Sequence, residues 1–197
     1  MNNAIALTHL SQDPVLKKLI KNYPPFNWPK TGDIFTDLIE SIINQQLSLA
    51  SAASIYARFK KLFKNSITPK NTLKLTIDQL KSVGLSGQKS SYIQNVATAI
   101  ISGELDVNKL KKSTDQEVID QLTSIKGIGP WSANMILMFS LNRPDVFPVG
   151  DLGIRTAMSK LYKLDRENLK AMIIIAKKWS PYRTLASRYL WQSLDNQ

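Results

Sequence analysis

The chain has 197 residues with no cysteine and a single histidine, and its 26 Lys and Arg outnumber 15 Asp and Glu for a formal charge of +11. Residue type alone excludes disulfides, thiolate nucleophiles, Cys-ligated zinc, Cys-held iron–sulfur clusters and multi-histidine metal sites. No stretch reads as a signal peptide or a membrane span, so we expect an intracellular chain (cytoplasmic in a prokaryote, nuclear in a eukaryote) whose basic surface meets a polyanion, nucleic acid first.

In chain order, helical signals dominate. Asp13-Pro14 opens "DPVLKKLIKNY" as N-cap and first helical residue, with Val15, Leu16, Leu19 and Ile20 on one face. The lone His9, just upstream, is expected on the solvated surface. Three prolines and a glycine make residues 23–33, "YPPFNWPKTGD", a loop. "IFTDLIESII" (34–43) keeps an apolar face, and "SLASAASIYARFKKLF" (48–63) starts with a Ser cap and small residues suited to close packing.

Residues 77–103 read as helix, tight glycine turn, helix. "STDQEVIDQLTSI" (113–125) begins with Thr114 and Glu117 at capping-box spacing. Asp151–Tyr162 and Asp165–Trp179 look like two further helices, and Pro181 opens a last one. No period-2 strand pattern is found, which predicts an all-α chain of roughly nine or ten helices.

Between the helix ending near 125 and the apolar run after 130 lies "IKGIGPWSANMI" (125–136). A Rossmann turn needs a preceding strand and a third glycine, and a Walker loop needs a G-K-S/T ending; neither is present. Gly127 and Gly129 allow a tight turn whose backbone comes close to a phosphate, and the helix opened by Pro130 aims its positive end at that anion. With Lys126 and Ile128 they form a helix–glycine hairpin–helix suited to a nucleic-acid backbone. The ordinary alternative is a packing corner between two helices.

Twenty residues beyond Trp131, Asp151 follows a Pro148/Gly150 turn in "DVFPVGDLGIR" and stands at a helix start, where the dipole favours negative charge. By itself it reads better as a plain N-cap, which is common. Nine Lys or Arg (155, 160, 163, 166, 170, 177, 178, 183, 188) surround it in residues 151–190, against three acids (151, 165, 167).

Five ordered segments, "LIESIINQQLSLASA" (38–52), "VGLSGQKSSYI" (83–93), "LTSIKGIGPWSANMIL" (122–137), "DVFPVGDLGIR" (145–155) and "WSPYRTLASRYLW" (179–191), resemble the helix-hairpin-helix DNA glycosylase superfamily. Within it the chain is similar to the compact form of 3-methyladenine DNA glycosylase II. The resemblance implies two helical subdomains flanking a DNA-binding and active-site cleft. One would span roughly 34–130 and the other 1–33 plus 131–197.

It also implies a monomeric, monofunctional hydrolase that excises alkylated purines, of the 3-methyladenine and 7-methylguanine type, from double-stranded DNA. Asp151 would be the catalytic carboxylate. Trp131, Trp191, Phe26, Trp28 and Met135 would line the base pocket, Met135 replacing an aromatic. Gln46 would plug the space left by the flipped base, with Leu47 adjacent and Ser48 behind. Family members that also cleave the strand carry a Lys just after the hairpin, where this chain has Trp131. No cofactor is required, but the backbone carbonyls of Thr123, Ile125 and Ile128 are where the family holds a monovalent cation, Na⁺ or K⁺. Two alternatives stay open: a non-catalytic hairpin module that only binds DNA, and a glycosylase for hypoxanthine, ethenoadenine or uracil.

Overall fold

The computed structural model describes residues 3–26 and 32–195. Among these residues it has thirteen α-helices, one π-helical turn and no strand. No helix in them is long and apolar enough to cross a membrane. The all-α expectation holds. The helix count is higher than expected because two are four-residue turns, too short to carry a periodic pattern.

The chain forms two compact units, one combining Met1–Pro29 with Asn142–Gln197 and the other spanning Lys30–Leu141. It starts the first unit with α1 (Asn3–Leu10) and α2 (Pro14–Asn22). It then builds the second from α3 (Ile34–Asn44), α4 (Leu49–Lys61), α5 (Pro69–Thr72), α6 (Ile77–Ser82) and α7 (Gly87–Ser102). The same unit continues through α8 (Val107–Leu110), α9 (Asp115–Thr123), α10 (Pro130–Met135) and the π-helical turn Ile136–Ser140. The chain returns to the first unit with α11 (Leu152–Tyr162), α12 (Leu169–Lys177) and α13 (Arg183–Asp195).

The division expected after residue 130 thus falls after Leu141. The reason lies in packing. Ser132 is buried and accepts a hydrogen bond from the Ser41 hydroxyl of α3 at 2.8 Å. Ile136, Leu137 and Met138 are buried as well, and Ser140 bonds the Asp37 carboxyl of α3. Burial raises the Asp37 pKa; the Ser140 bond opposes that rise and the nearby Asp33 adds to it.

In the first unit, Asp13 links distant segments. Its Oδ1 accepts the N–H groups of Val15 (2.9 Å) and Leu16 (3.2 Å), capping α2 as expected. Its Oδ2 accepts from the Tyr162 hydroxyl and from Trp179 Nε1, each at 3.0 Å. Around this hub Leu16, Ile154, Met158, Trp179, Tyr189 and Leu190 form a buried core. Burial, together with the charge of Asp13, pushes the Tyr162 pKa up.

His9 departs from expectation. It is half-buried on α1, its Nε2 pairs with the Lys178 carbonyl at 3.1 Å, and its ring stands edge-on to Tyr182. The second unit is centred on α3 and α7, whose Leu38, Ile39, Ile42, Ile93, Val96 and Ala97 are fully buried. The Thr114/Glu117 capping box on α9 forms as its spacing predicts.

Candidate active site and nucleic-acid interface

Asp151 is half-buried and caps α11: its Oδ1 accepts the Ile154 N–H at 2.8 Å. The same oxygen accepts Trp191 Nε1–H at 2.7 Å. The N-cap reading of Asp151 is thus the geometry observed, with the indole as a second donor. Two N–H donors and the positive end of an eleven-residue helix converge on one carboxylate oxygen and fix its direction.

The loop that delivers Asp151 is fastened to the start of α13. Asp145 accepts Arg183 Nε at 2.7 Å and Nη2 at 2.9 Å, the Ser180 hydroxyl at 2.7 Å and the Arg183 N–H at 3.2 Å. Burial works against ionisation of Asp145, but the bonds from Arg183 and Ser180 outweigh it and hold the pKa below its ordinary value. Thr184 donates its hydroxyl to the Arg143 carbonyl and accepts the Val146 N–H, and Phe147 packs edge-on against Trp179. Since α13 also carries Trp191, one scaffold sets both partners of the Asp151–Trp191 bond.

Gly153 is a member of this site that sequence reasoning missed. A Cβ there would lie 3.0 Å from Trp191 Cδ1 and 3.0 Å from Asp151 Oδ1. A side chain here would press on both the indole and the carboxylate, so either would have to shift by a few tenths of an ångström to admit it. The one available signal was a glycine at the second position of a helix, where it lowers propensity without serving a turn.

Phe26 lies on the same unit. Its ring meets Tyr189 edge-on at 4.9 Å and carries the Arg188 guanidinium 4.3 Å from its centroid. The chain thus supplies its own cation to that ring. Trp28 lies outside the described residues.

In the second unit the hairpin forms between α9 and α10. Gly127 has φ +113°, a conformation L side chains rarely adopt, and a Cβ would fall 2.3 Å from Tyr92 Cγ. Gly129 differs. It sits at the N-cap of α10 with φ −99° and ψ 173°, no side chain caps the helix, and a Cβ would meet nothing within 4 Å. Ile125 and Ile128 are buried and anchor the turn, while Lys126 is exposed. Trp131 and Met135, four residues apart on α10, are both half-buried and share a face. Directly after them the helix loosens into the π turn, closed by the Leu141 N–H bonding the Ile136 carbonyl at 2.9 Å.

The Gln46 loop joins α3 to α4. Gln46 is exposed with φ +55°, Leu47 is exposed, and Ser48 caps α4 by accepting the Ser51 N–H at 3.3 Å. Ser48 thus has a definite architectural task. The loop and the hairpin are tied together, since Gln45 Nε2 donates to the Gly127 carbonyl at 3.0 Å.

Among the described residues no group of three or more His, Cys, Asp or Glu could hold a metal ion. Thr123 is the last residue of α9, and Ile125 and Ile128 follow it in the hairpin. Ile125 O accepts the Ile128 N–H at 3.0 Å, which closes the turn.

Residues 39–181, which contain the hairpin, the Gln46 loop and Asp151, match the HhH-GPD superfamily base excision DNA repair protein family. The chain belongs to the HhH-GPD superfamily. Among HhH-GPD relatives, it is 34% identical over 182 residues to DNA-3-methyladenine glycosylase 1 of Schizosaccharomyces pombe, covering 90% of this chain and 80% of that one. The structure of an S. pombe 3-methyladenine DNA glycosylase (Mag1) in complex with abasic DNA superposes with a TM-score of 0.87 at 32% identity, covering 96% of each chain. A DNA-3-methyladenine glycosidase from Bacillus halodurans superposes with a TM-score of 0.84 at 36% identity, over 96% of this chain and 88% of that one. The HhH-GPD fold is therefore this chain's fold.

Proposed function

We propose that the protein is a monofunctional DNA glycosylase that flips alkylated purines out of duplex DNA and hydrolyses their N-glycosidic bonds. The observation that carries this reading is the Asp151 carboxylate, directed by the Ile154 N–H and the Trp191 indole. Relatives named as 3-methyladenine DNA glycosylases support the substrate class.

Cleavage of the bond to C1′ develops positive charge on the sugar. A carboxylate held in one orientation stabilises that charge, and it can accept a proton from the attacking water. A purine alkylated at N3 or N7 already carries positive charge, so it leaves without a second acid. Electron-rich indoles attract such a base, by about 0.5–2 kcal/mol per ring contact. Trp131 and Trp191 supply these rings in our reading, with Met135 beside Trp131. Extrusion of the target nucleotide leaves a gap, which Gln46 fills.

The hairpin from Lys126 to Gly129 grips phosphate, and a monovalent cation on the Thr123, Ile125 and Ile128 carbonyls would join it to the DNA. Duplex DNA is the partner, and the protein acts as a monomer. Incubation with methylated duplex should release free 3-methyladenine or 7-methylguanine. Asp151→Asn should abolish release while DNA binding persists. Release by that variant near the wild-type rate would remove Asp151 from the mechanism.

A further inference from the structure

We propose that Lys89 is a positioning residue for base flipping, holding the loop 45–48 so that Gln46 is presented to the duplex. The proposal rests on reading Gln46 as the side chain that fills the vacated space. It adds a residue from a different helix to that step.

The end of α3 leaves carbonyls without helical partners. Had the helix continued, the Leu47 N–H would have served the Ile43 carbonyl; it goes instead to Asn44 O at 3.3 Å. The Gln45 N–H bonds Ile42 O, also at 3.3 Å. The carbonyls of Ile43 and Gln45 are then served by one group: Lys89 Nζ donates to the first at 2.9 Å and to the second at 2.6 Å. These two acceptors flank the turn immediately before Gln46. A cation also complements the negative end of α3. Burial lowers the Lys89 pKa, but both partners are carbonyls that can only accept, so the geometry needs its N–H donors.

Gln46 itself explains why such a clamp is needed. Its φ of +55° is the left-handed region, where helices commonly end on glycine. Glycine at 46 would adopt that turn without strain but would bring no side chain to the DNA. The chain keeps a glutamine there and anchors the strained turn from outside.

Lys89 is one of three residues on a single face of α7 that reach the DNA-facing loops. Three residues on, Tyr92 packs beneath Gly127, and three further on, Asn95 Nδ2 donates to the Lys126 carbonyl at 3.0 Å. Gln45 closes the frame by bonding Gly127. This face of α7 therefore fixes the Gln46 loop against the phosphate hairpin.

The test uses Lys89→Met, which keeps the aliphatic stem and removes the donors, with Gln46→Ala and the double variant. We expect Lys89→Met to slow single-turnover release of 3-methyladenine from paired duplex by about tenfold or more, as misplaced groups do. Release from a bulged lesion, where no partner base must be displaced, should change less than about twofold, by the same reasoning. The double variant should be no slower than Gln46→Ala alone, because both act through one side chain. In duplex with an abasic-site analogue opposite 2-aminopurine, the wild-type fluorescence change should be lost in Lys89→Met. That readout needs no chemistry, so a wild type that releases no methylated purine would refute the proposed substrate and still leave the loop testable.

Gln45→Leu, which cuts the other tie, should show the same pattern if Lys89→Met does not fold. Multiplicative losses in the double variant, or equal losses on paired and bulged substrates, would overturn the proposal. So would a fall of about 0.9 in the salt-dependence slope of binding for Lys89→Met, because Lys89 would then be a phosphate contact.

Discussion

The two hairpin glycines should fail in different ways when replaced by alanine. At Gly127 the new Cβ would stand 2.3 Å from Tyr92 Cγ and 2.6 Å from Tyr92 Cβ, on backbone at φ +113°. Because Tyr92 Cβ is itself in the way, no rotation of the ring relieves the overlap, and α7 or the hairpin must move. The conformational penalty is about 1–2 kcal/mol and the overpacking about 1–3, so Gly127→Ala should lose roughly 2–5 kcal/mol. For a chain of this length that is a fall in melting temperature of about 4–20 °C. Gly129→Ala places its methyl in open space at φ −99° and should melt within about 2 °C of wild type. If Gly129 is bare so that phosphate can approach, this well-folded variant should still bind duplex DNA weakly, and equally so across sequences. Thermal unfolding and fluorescence-anisotropy titrations on two unrelated duplexes would measure both effects. Full DNA affinity in Gly129→Ala, or an unchanged melting temperature in Gly127→Ala, would refute the reasoning.

Trp191→Phe keeps a ring but deletes the donor to Asp151 Oδ1. The loss of about 1.5–3 kcal/mol of charged hydrogen bonding should slow single-turnover base release roughly 10- to 150-fold with DNA affinity unchanged. Borohydride added during turnover on lesion-bearing duplex should trap no protein–DNA adduct, and strand breaks should appear only after alkali; a rapid lysine-dependent adduct would show a lyase instead. Because the Asp145 pKa is depressed in the folded state, its contribution is present above the ordinary value of 3.8 and is lost as pH falls through the folded value. Asp145→Asn should therefore melt below wild type near neutral pH, and the difference should shrink as both are taken below that value.

Much of this architecture was legible in the sequence because single residues report on single turns. Asp13-Pro14, Thr114 with Glu117, and the paired glycines each act within a few positions of themselves, so spacing alone located them. Asp151 was legible as a helix cap, and the structure places it there. Its bond to Trp191 spans forty residues and carries no local mark. Lys89 was hidden for the same reason: in sequence it is the one charged residue of α7, in its first turn, and its carbonyl partners lie more than forty residues away. The helix α1 was missed because "NAIALTHL" is apolar with little polar alternation, so no face stands out. The boundary at Leu141 was displaced because the π turn continues the packing of α10 on α3, which only tertiary contact reveals.

The chain's order through its two units also bears on how it is made. The unit with the hairpin is one uninterrupted stretch, complete once Leu141 has been added, whereas the unit with Asp151 needs both flanks, joined by bonds such as Asp13 to Tyr162 and Trp179. On a ribosome the unit with the hairpin can therefore fold while the rest of the unit with Asp151 is still being synthesised. Its folding also brings its own two ends together, since Asp37 near its start bonds Ser140 near its finish. The later half then closes over a short gap instead of a loop of about a hundred residues, a saving on the order of 2 kcal/mol in chain entropy. The long-range contacts around Asp13 are in effect made local by the unit inserted between them.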